Sequence, residues 1–540
     1  MPRRRPRRAG AESRGARPGS GVVARRGRTV GKSLENVPEL IVVVAALVLV
    51  LASFSLEGSA AKRGRVSASF VLLGLLSAAC FINFGAFRGR GVTVHEHEQF
   101  HFWLGSKYLP ELRYDAIYEA VILASGEASQ LRGGDLRYRD PLTFAWKTLP
   151  ISPQREAEIR GRFTPRRWLA FQQDARRLWK PKYLDDHGNT GSPAWAMTAG
   201  LFTRFLPLTS KTQAWLGFLD LALLALLFAA VGLTLGPRVA GLAMVCSFTV
   251  PLVFTYLNGS ILRMDWLVAL GVSVCLFEKR QFRTAGVFLG YAVASKLLAA
   301  VMVLPLGLRI AVETVRRRRP DPDQLRYVVF ALGGLALFVL LSAAFFGDFA
   351  LWPDYARRML ATLHEKYYMR NHSLRDLFLQ VYHMPGGAWH PLPDRLAAVQ
   401  PSVFIGQVRG AFLVTQLTLL GGLVFVACRN PPRFALALGP LAVFLLLVSN
   451  RYYWQMWLIS AIALVPAYRK EWRSMALLVA ILAWIGSMQF VSLTLLDVPR
   501  GGYFGSYGLL LICAGLMIAE LYTWIRQSRT EPVGSAPDPD

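Results

Sequence analysis

The sequence predicts an all-α polytopic membrane protein, a bundle of about 11–13 transmembrane helices with two large outer loops that carry amphipathic helices. Three observations carry this prediction. Apolar runs of about 17 to 25 residues, long enough to cross a bilayer, recur along a 540-residue chain that is 53% hydrophobic. Arginine and lysine collect in short segments between those runs. All eight histidines fall in two long polar stretches and none in an apolar run.

Residues 1–37 begin "MPRRRPRRAGAESRGARPGSG" and cannot bury a core, so they are predicted to form a disordered basic tail. The first transmembrane helices occupy 38–88, with runs at 38–57 and 68–88. "AKRGR" at 61–65 favours the inner side and leaves the basic tail outside if 38–57 spans. Reading residues 1–60 as a signal peptide removes that conflict. The first outer loop, with interfacial helices, covers 89–212. A central module at 213–346 holds runs at 213–235, 238–257, 260–277 and 327–346 and a longer one at 284–310. The second outer loop covers 347–402. Runs at 403–428, 433–449, 452–467, 474–496 and 503–525 form the C-terminal module, 403–526, and 527–540 reads as a second disordered tail.

Loop charge sets the expected sidedness. "EKRQFR" at 278–283, "RRRRP" at 316–320, "CRNPPR" at 428–433 and "YRKEWR" at 468–473 should all lie inside. The first two conflict with a single crossing at 284–310. Two short helices with a tip near Lys296 resolve the conflict, because irregular backbone is tolerated where it lines a cavity. Lys296 and both long loops then face the outer side, with the turns near Asn258, Arg451 and Pro499. The formal charge of +27 therefore reports topology and contact with anionic membrane lipids rather than nucleic acid. The five cysteines all lie in apolar runs, so no disulfide framework or cysteine metal site is implied. No Walker loop or dinucleotide fingerprint is present, so any transferred group must arrive already activated.

"HEHEQFHFWLGSKY" at 95–108 concentrates His95, Glu96, His97, Glu98 and His101. On a helix His97 lies over His101 and Glu98 lies beside it, so a carboxylate and an imidazole converge as a general base or a metal clamp requires. The spacing supplies ligand types without fixing their geometry; a divalent metal is left open and no other cofactor is implied. "YDAIYEAVILA" sets Tyr114, Ile117, Tyr118 and Val121 on one stripe, predicting a helix against the bundle or the bilayer surface. "RRWLAFQQDARRLWK" sets Trp168, Phe171, Ala175, Leu178 and Trp179 against Arg166, Arg167, Arg176, Arg177 and Lys180, predicting an interfacial helix that attracts phosphate. In "YLDDHGNTGSPAW", Asp185, Asp186 and His187 precede a turn that brings backbone close to a ligand. In "LNGSILRMDW", Arg263 and Asp265 lie just inside a predicted span, which calls for pairing with each other or a functional role. The second loop clusters Arg357, Arg358, His364, Glu365, Lys366, Arg370, Asn371, His372, Ser373 and Arg375, a set suited to a phosphate-bearing lipid headgroup.

This organisation resembles the GT-C superfamily of polytopic glycosyltransferases, and most nearly the polyprenyl-phosphate-mannose-dependent mannosyltransferases of glycosyltransferase family 87. The resemblance rests on the acidic first outer loop ("HEHEQFHFWLGSKY"), "GVFLGYAVASKLLAAVMVLPL", "NHSLRDLF" and "SNRYYWQMW", and covers most of residues 68–460. It implies transfer of a mannose-like hexose, with inversion, from a polyprenyl-phosphate-linked donor to a lipid or glycan acceptor. The expected place is the outer face of a bacterial cytoplasmic membrane, in a cell-envelope pathway. Where the family more often carries aspartate, the general base here would be Glu98 or Glu96, with His101 orienting it. Donor phosphate would meet Lys296, His364, Arg370, Asn371, His372 and Arg451. Acceptor binding or support would fall to His97, Asp185, Asp186, His187, Arg263 and Asp265. A secondary transporter and a noncatalytic envelope-assembly subunit are the alternatives; the two halves show no convincing internal repeat of the kind transporters carry.

Overall fold

Uninterrupted apolar runs become helices long enough to cross a bilayer, and runs broken by glycine, proline or a charge become shorter ones. A computed structural model describes residues 37–56, 59–87, 91–126, 137–184, 186, 188–251, 258–363, 371–382, 409–494 and 498–530. Eight of its helices are long and apolar enough to span: Val37–Leu56, Ala60–Phe81, Ser210–Leu235, Leu298–Arg317, Pro322–Phe346, Arg409–Arg429, Trp472–Thr494 and the Phe504–Ser528 stretch of Val498–Thr530. The chain is an all-α polytopic integral membrane protein. Among the described residues the strands are two antiparallel pairs, Arg137–Arg139 with Trp146–Thr148 and Asn371–His372 with Ser449–Asn450.

Four predicted crossings are shorter than expected. The run at 238–257 yields Pro237–Phe248, started by Gly236 at φ 103° and by Pro237, while 252–257 lies outside the described residues. The run at 260–277 yields Asp265–Glu278. The run at 433–449 splits into Pro432–Ala437 and Gly439–Leu446, and that at 452–467 into a 3₁₀ turn, Arg451–Met456, followed by Trp457–Leu464. Pro237–Phe248, at 12 residues, reaches only about 18 Å against a hydrocarbon core of about 30 Å. Hydropathy could not distinguish these pieces from spans, because helices buried inside a membrane protein are as apolar as those that face lipid. The terminal-tail expectation changes as well: the last helix continues to Thr530, and residues 1–36 and 531–540 lie outside the described residues.

The break expected near Lys296 is present. Helix Phe282–Ser295 ends there, Lys296 is extended at φ −148° and ψ 119°, and Leu298–Arg317 follows. Ser192 Oγ donates to the Ala294 carbonyl at 2.6 Å, so protein supplies a partner that lipid cannot. Phe282–Ser295 meets Pro322–Phe346 backbone to backbone at Gly290, where a Cβ would stand 2.4 Å from the Leu335 nitrogen.

Buried side chains form two cores. One unites the spanning helices with the short buried ones, including Trp457–Leu464. The other is built from the first long loop, around Phe100, Trp103, Tyr118 and Phe171, and takes in Leu351 and Tyr355 from the start of the second. Arg113 ties the two loops together, donating to Asp348 at 2.9 Å and to Asp354 at 2.6 Å. The amphipathic helices expected at the bilayer surface belong to this second core. Ile117–Ser125 buries Ile117, Tyr118 and Val121, and Pro165–Leu178 buries Phe171, Ala175 and Leu178 beside it. Each apolar stripe is covered by the other loop helices, and Arg167 grips Glu111 at 2.6 Å.

Candidate active site

The helix Glu96–Lys107 sets the centre of the site. His95 caps it, with Nδ1 accepting the Glu98 N–H at 3.4 Å. The turn at Gly259 lies against this end: its carbonyl accepts the His95 N–H at 2.9 Å and the Gln99 side-chain amide at 3.0 Å. Gly259 has φ +81°, and a Cβ there would stand 2.0 Å from the Thr93 carbonyl oxygen, so the close approach needs glycine.

That approach delivers Arg263 to Glu98. The guanidinium Nε lies 3.1 Å from Glu98 Oε2, and Ser260 Oγ donates to the same oxygen at 3.3 Å. Arg263 sits over the rings of Phe102 (4.5 Å) and Tyr452 (5.5 Å) and donates to the Tyr452 hydroxyl at 3.3 Å. Buried Asp220 fixes this segment by accepting the backbone N–H groups of Arg263 and Met264, both at 2.9 Å. Asp220 was not among the residues singled out from the sequence. An aspartate inside "WLGFLDLALLAL" is nonetheless the kind of ionisable residue within a span that signals structural or functional use.

Arg263 and Asp265 do not pair with each other. Asp265 Oδ2 accepts from the Tyr291 hydroxyl at 2.8 Å and from Ser295 Oγ at 2.7 Å, and the carboxylate is buried. Arg263, Asp265, Ser295 and Lys296 share a cavity of about 10 Å³, room for roughly one water. The Lys296 ammonium lies 4.6 Å from the Tyr453 ring centroid, and that ring packs on Tyr452 at 4.4 Å.

His101 does not orient Glu98 as expected. Its Nδ1 lies 2.9 Å from the His97 carbonyl, and its Nε2 lies 2.9 Å from the Tyr118 hydroxyl, which accepts the Gly188 N–H at 2.8 Å. A carbonyl only accepts, so Nδ1 carries the proton, and Nε2 receives the tyrosine hydroxyl. Burial pushes the His101 pKa down and keeps the ring neutral. The imidazole therefore serves Tyr118, on the helix read from sequence as scaffold.

Asp186 completes a cluster with His97 and His101, with Oδ2 3.5 Å from His97 Nε2 and 3.9 Å from His101 Nδ1. Their ligand-type atoms lie within 4.8 Å of one another. Both nitrogens of His101 lie within hydrogen-bond distance of other groups, the His97 carbonyl and the Tyr118 hydroxyl. Glu96 points elsewhere, 58% exposed and bonded to Lys180 and Tyr183. The lysine hydrogen bond holds its carboxyl below the usual carboxylate range.

In the second loop Asn371 pairs with Asn450 and His372 with Ser449, whose Oγ donates to the His372 carbonyl at 3.0 Å. The His372 ring is buried against Trp454 and Trp484, each at 5.8 Å. "NHSLRDLF" and "SNRYYWQMW" thus meet, and Tyr452 of the second reaches Arg263 of the central module. Asn371 is placed by this pairing and Arg451 by the start of the 3₁₀ turn. Asp185, His187, His364 and Arg370 lie outside the described residues. No protein-family model, curated protein or solved structure matches the chain.

Proposed function

We propose that the protein is a membrane glycosyltransferase that moves a mannose-like hexose from a polyprenyl-phosphate donor to a lipid or glycan acceptor at the outer face of a bacterial cytoplasmic membrane. The observation that carries this reading is the convergence of Glu98, Arg263 and Tyr452, contributed by the first loop, the turn before Asp265 and "SNRYYWQMW". Glu98 takes the proton of the acceptor hydroxyl while that oxygen bonds the anomeric carbon. The bond from that carbon to the phosphate oxygen breaks, and its electron pair leaves with the polyprenyl phosphate. Charge then grows on the phosphate and calls for cationic partners in a partly dry site. Lys296 and His372 supply candidates, joined by Arg451, Asn371, His364 and Arg370. His97 and Asp186, beside the helix start, suit acceptor hydroxyls, and Arg263 holds the base in place.

The test incubates purified protein in lipid with radiolabelled polyprenyl-phosphate mannose and a membrane lipid extract, and compares wild type with Glu98→Gln. Transfer by wild type that falls about 10²- to 10⁴-fold in a folded variant supports the assignment. The buried Asp265 carboxylate, which shares a small cavity with Lys296, favours a second reading, a transporter. Absence of transfer from mannose, glucose and arabinose donors alike would favour that reading.

A further inference from the structure

A cavity of about 480 Å³ lies between the helices Trp472–Thr494 and Val498–Thr530, and its wall residue Trp484 backs the buried His372 ring. Small residues face it from both helices, Ala476, Ala480 and Ala483 on one and Gly508, Gly515 and Ala519 on the other, among larger apolar ones such as Phe434 and Leu511. Glycine and alanine usually let helices close on each other. Here Trp484 is wedged between them: its indole N–H donates to the Gly505 carbonyl at 2.9 Å, and a Cβ on Gly508 would stand 2.6 Å from its ring. Lower down the groove stays open, with nothing within 4 Å of a Cβ on Gly515.

The ends of this groove differ. One reaches Met488 and Val491 and is apolar. The other reaches Arg473 and Glu520, at the end that carries the basic segments 428–433 and 468–473. Buried Glu520 accepts from Arg429 at 2.6 Å and from Arg473 at 2.8 Å, so two guanidinium groups share one carboxylate and a positive charge is left over. Arg473 also lies over the exposed Trp472 ring at 5.2 Å, an aromatic and basic pairing typical of the headgroup level. From Arg473 to Val491 the helix rises about 27 Å, close to the hydrocarbon thickness of about 30 Å.

We infer that this groove binds an acyl chain of an anionic phospholipid whose phosphate rests at the Arg429–Arg473 end. The apolar trough supplies room for one extended chain, and the surplus charge selects an acidic headgroup. The site is separate from Glu98 and stands whether or not the protein transfers sugar.

The experiment reconstitutes the full chain in vesicles that carry photoactivatable acyl-chain phosphatidylglycerol or phosphatidylcholine, and maps cross-linked peptides by mass spectrometry. Phosphatidylglycerol should label peptides from 472–494 and 504–520 about fivefold more than phosphatidylcholine, and Arg473→Gln should erase most of that preference. A Cβ at Gly515 meets nothing within 4 Å, so Gly515→Leu extends into the groove and should remove the adducts while the protein stays folded. Uniform labelling of all lipid-facing helices, or labelling unchanged by Gly515→Leu, would overturn the inference. Displacement of the probe by polyprenyl phosphate but not by unlabelled phosphatidylglycerol would overturn it too, by naming a different occupant.

Discussion

Replacing Arg263 by methionine tests how the centre of the site is held together. The side chains of Arg263 and Glu98 are 7% and 18% exposed and 3.1 Å apart. An exposed pair would contribute about 1 kcal/mol at most. Removing one partner of a buried pair costs about 3–5 kcal/mol, because the other charge is stranded. Arg263→Met leaves Glu98 with Ser260 Oγ alone among the partners described above and also ends the stacking on Phe102 and Tyr452. Glu98→Gln strands Arg263 less severely, since those rings and the Tyr452 hydroxyl stay in contact with it. The double variant leaves no stranded charge, so its loss should fall short of the summed single losses by about 2 kcal/mol. The assay is reversible unfolding of the full chain in mixed lipid and detergent micelles, read by tryptophan fluorescence. Strict additivity, or single losses below about 0.5 kcal/mol, would refute the pairing as an organising contact.

Two further outcomes follow from the same physical reasoning. Gly259→Ala should cost about 2–4 kcal/mol and abolish any activity that depends on Glu98, since φ is +81° and a Cβ would meet the Thr93 carbonyl; Gly307→Ala, in open space on a helix, should be neutral or slightly stabilising in the same unfolding assay. Burial pushes the Asp376 carboxyl up to about 7 even though it bonds Ser373 Oγ at 2.6 Å. The folded state then binds its proton more tightly than the unfolded state. Stability should therefore fall as pH rises from about 4 to about 7, by at most about 4 kcal/mol, and Asp376→Asn should flatten that slope in unfolding measurements at pH 4.5 and 8.

The membrane class and the break at Lys296 were legible because both follow from composition and local charge. The breaking of four apolar runs into shorter helices was not, since burial in protein and burial in lipid call for the same apolar residues. At the site, helical spacing correctly brought His97 next to His101, but it could not say that Tyr118 would claim the imidazole or that Arg263 would turn to Glu98 rather than Asp265. Those choices depend on contacts made across the fold: the Gly259 turn lies against the helix start at His95, and Asp220 grips the chain at Arg263. A strand pairing between His372 and Ser449 leaves even less trace, because two residues on each side carry no period to detect.

The second core has a consequence for biosynthesis. Its first part, up to Leu216, is complete in sequence long before Leu351 and Tyr355, which help to close it. At ordinary synthesis rates the wait is roughly 10 s, during which every helix of the central module emerges. The loop helices must spend that interval with part of their apolar surface uncovered and Arg113 without Asp348 and Asp354. The nascent chain is thus most exposed to proteases and chaperones at its middle, and truncations that end before residue 351 should be recovered mainly as degraded protein.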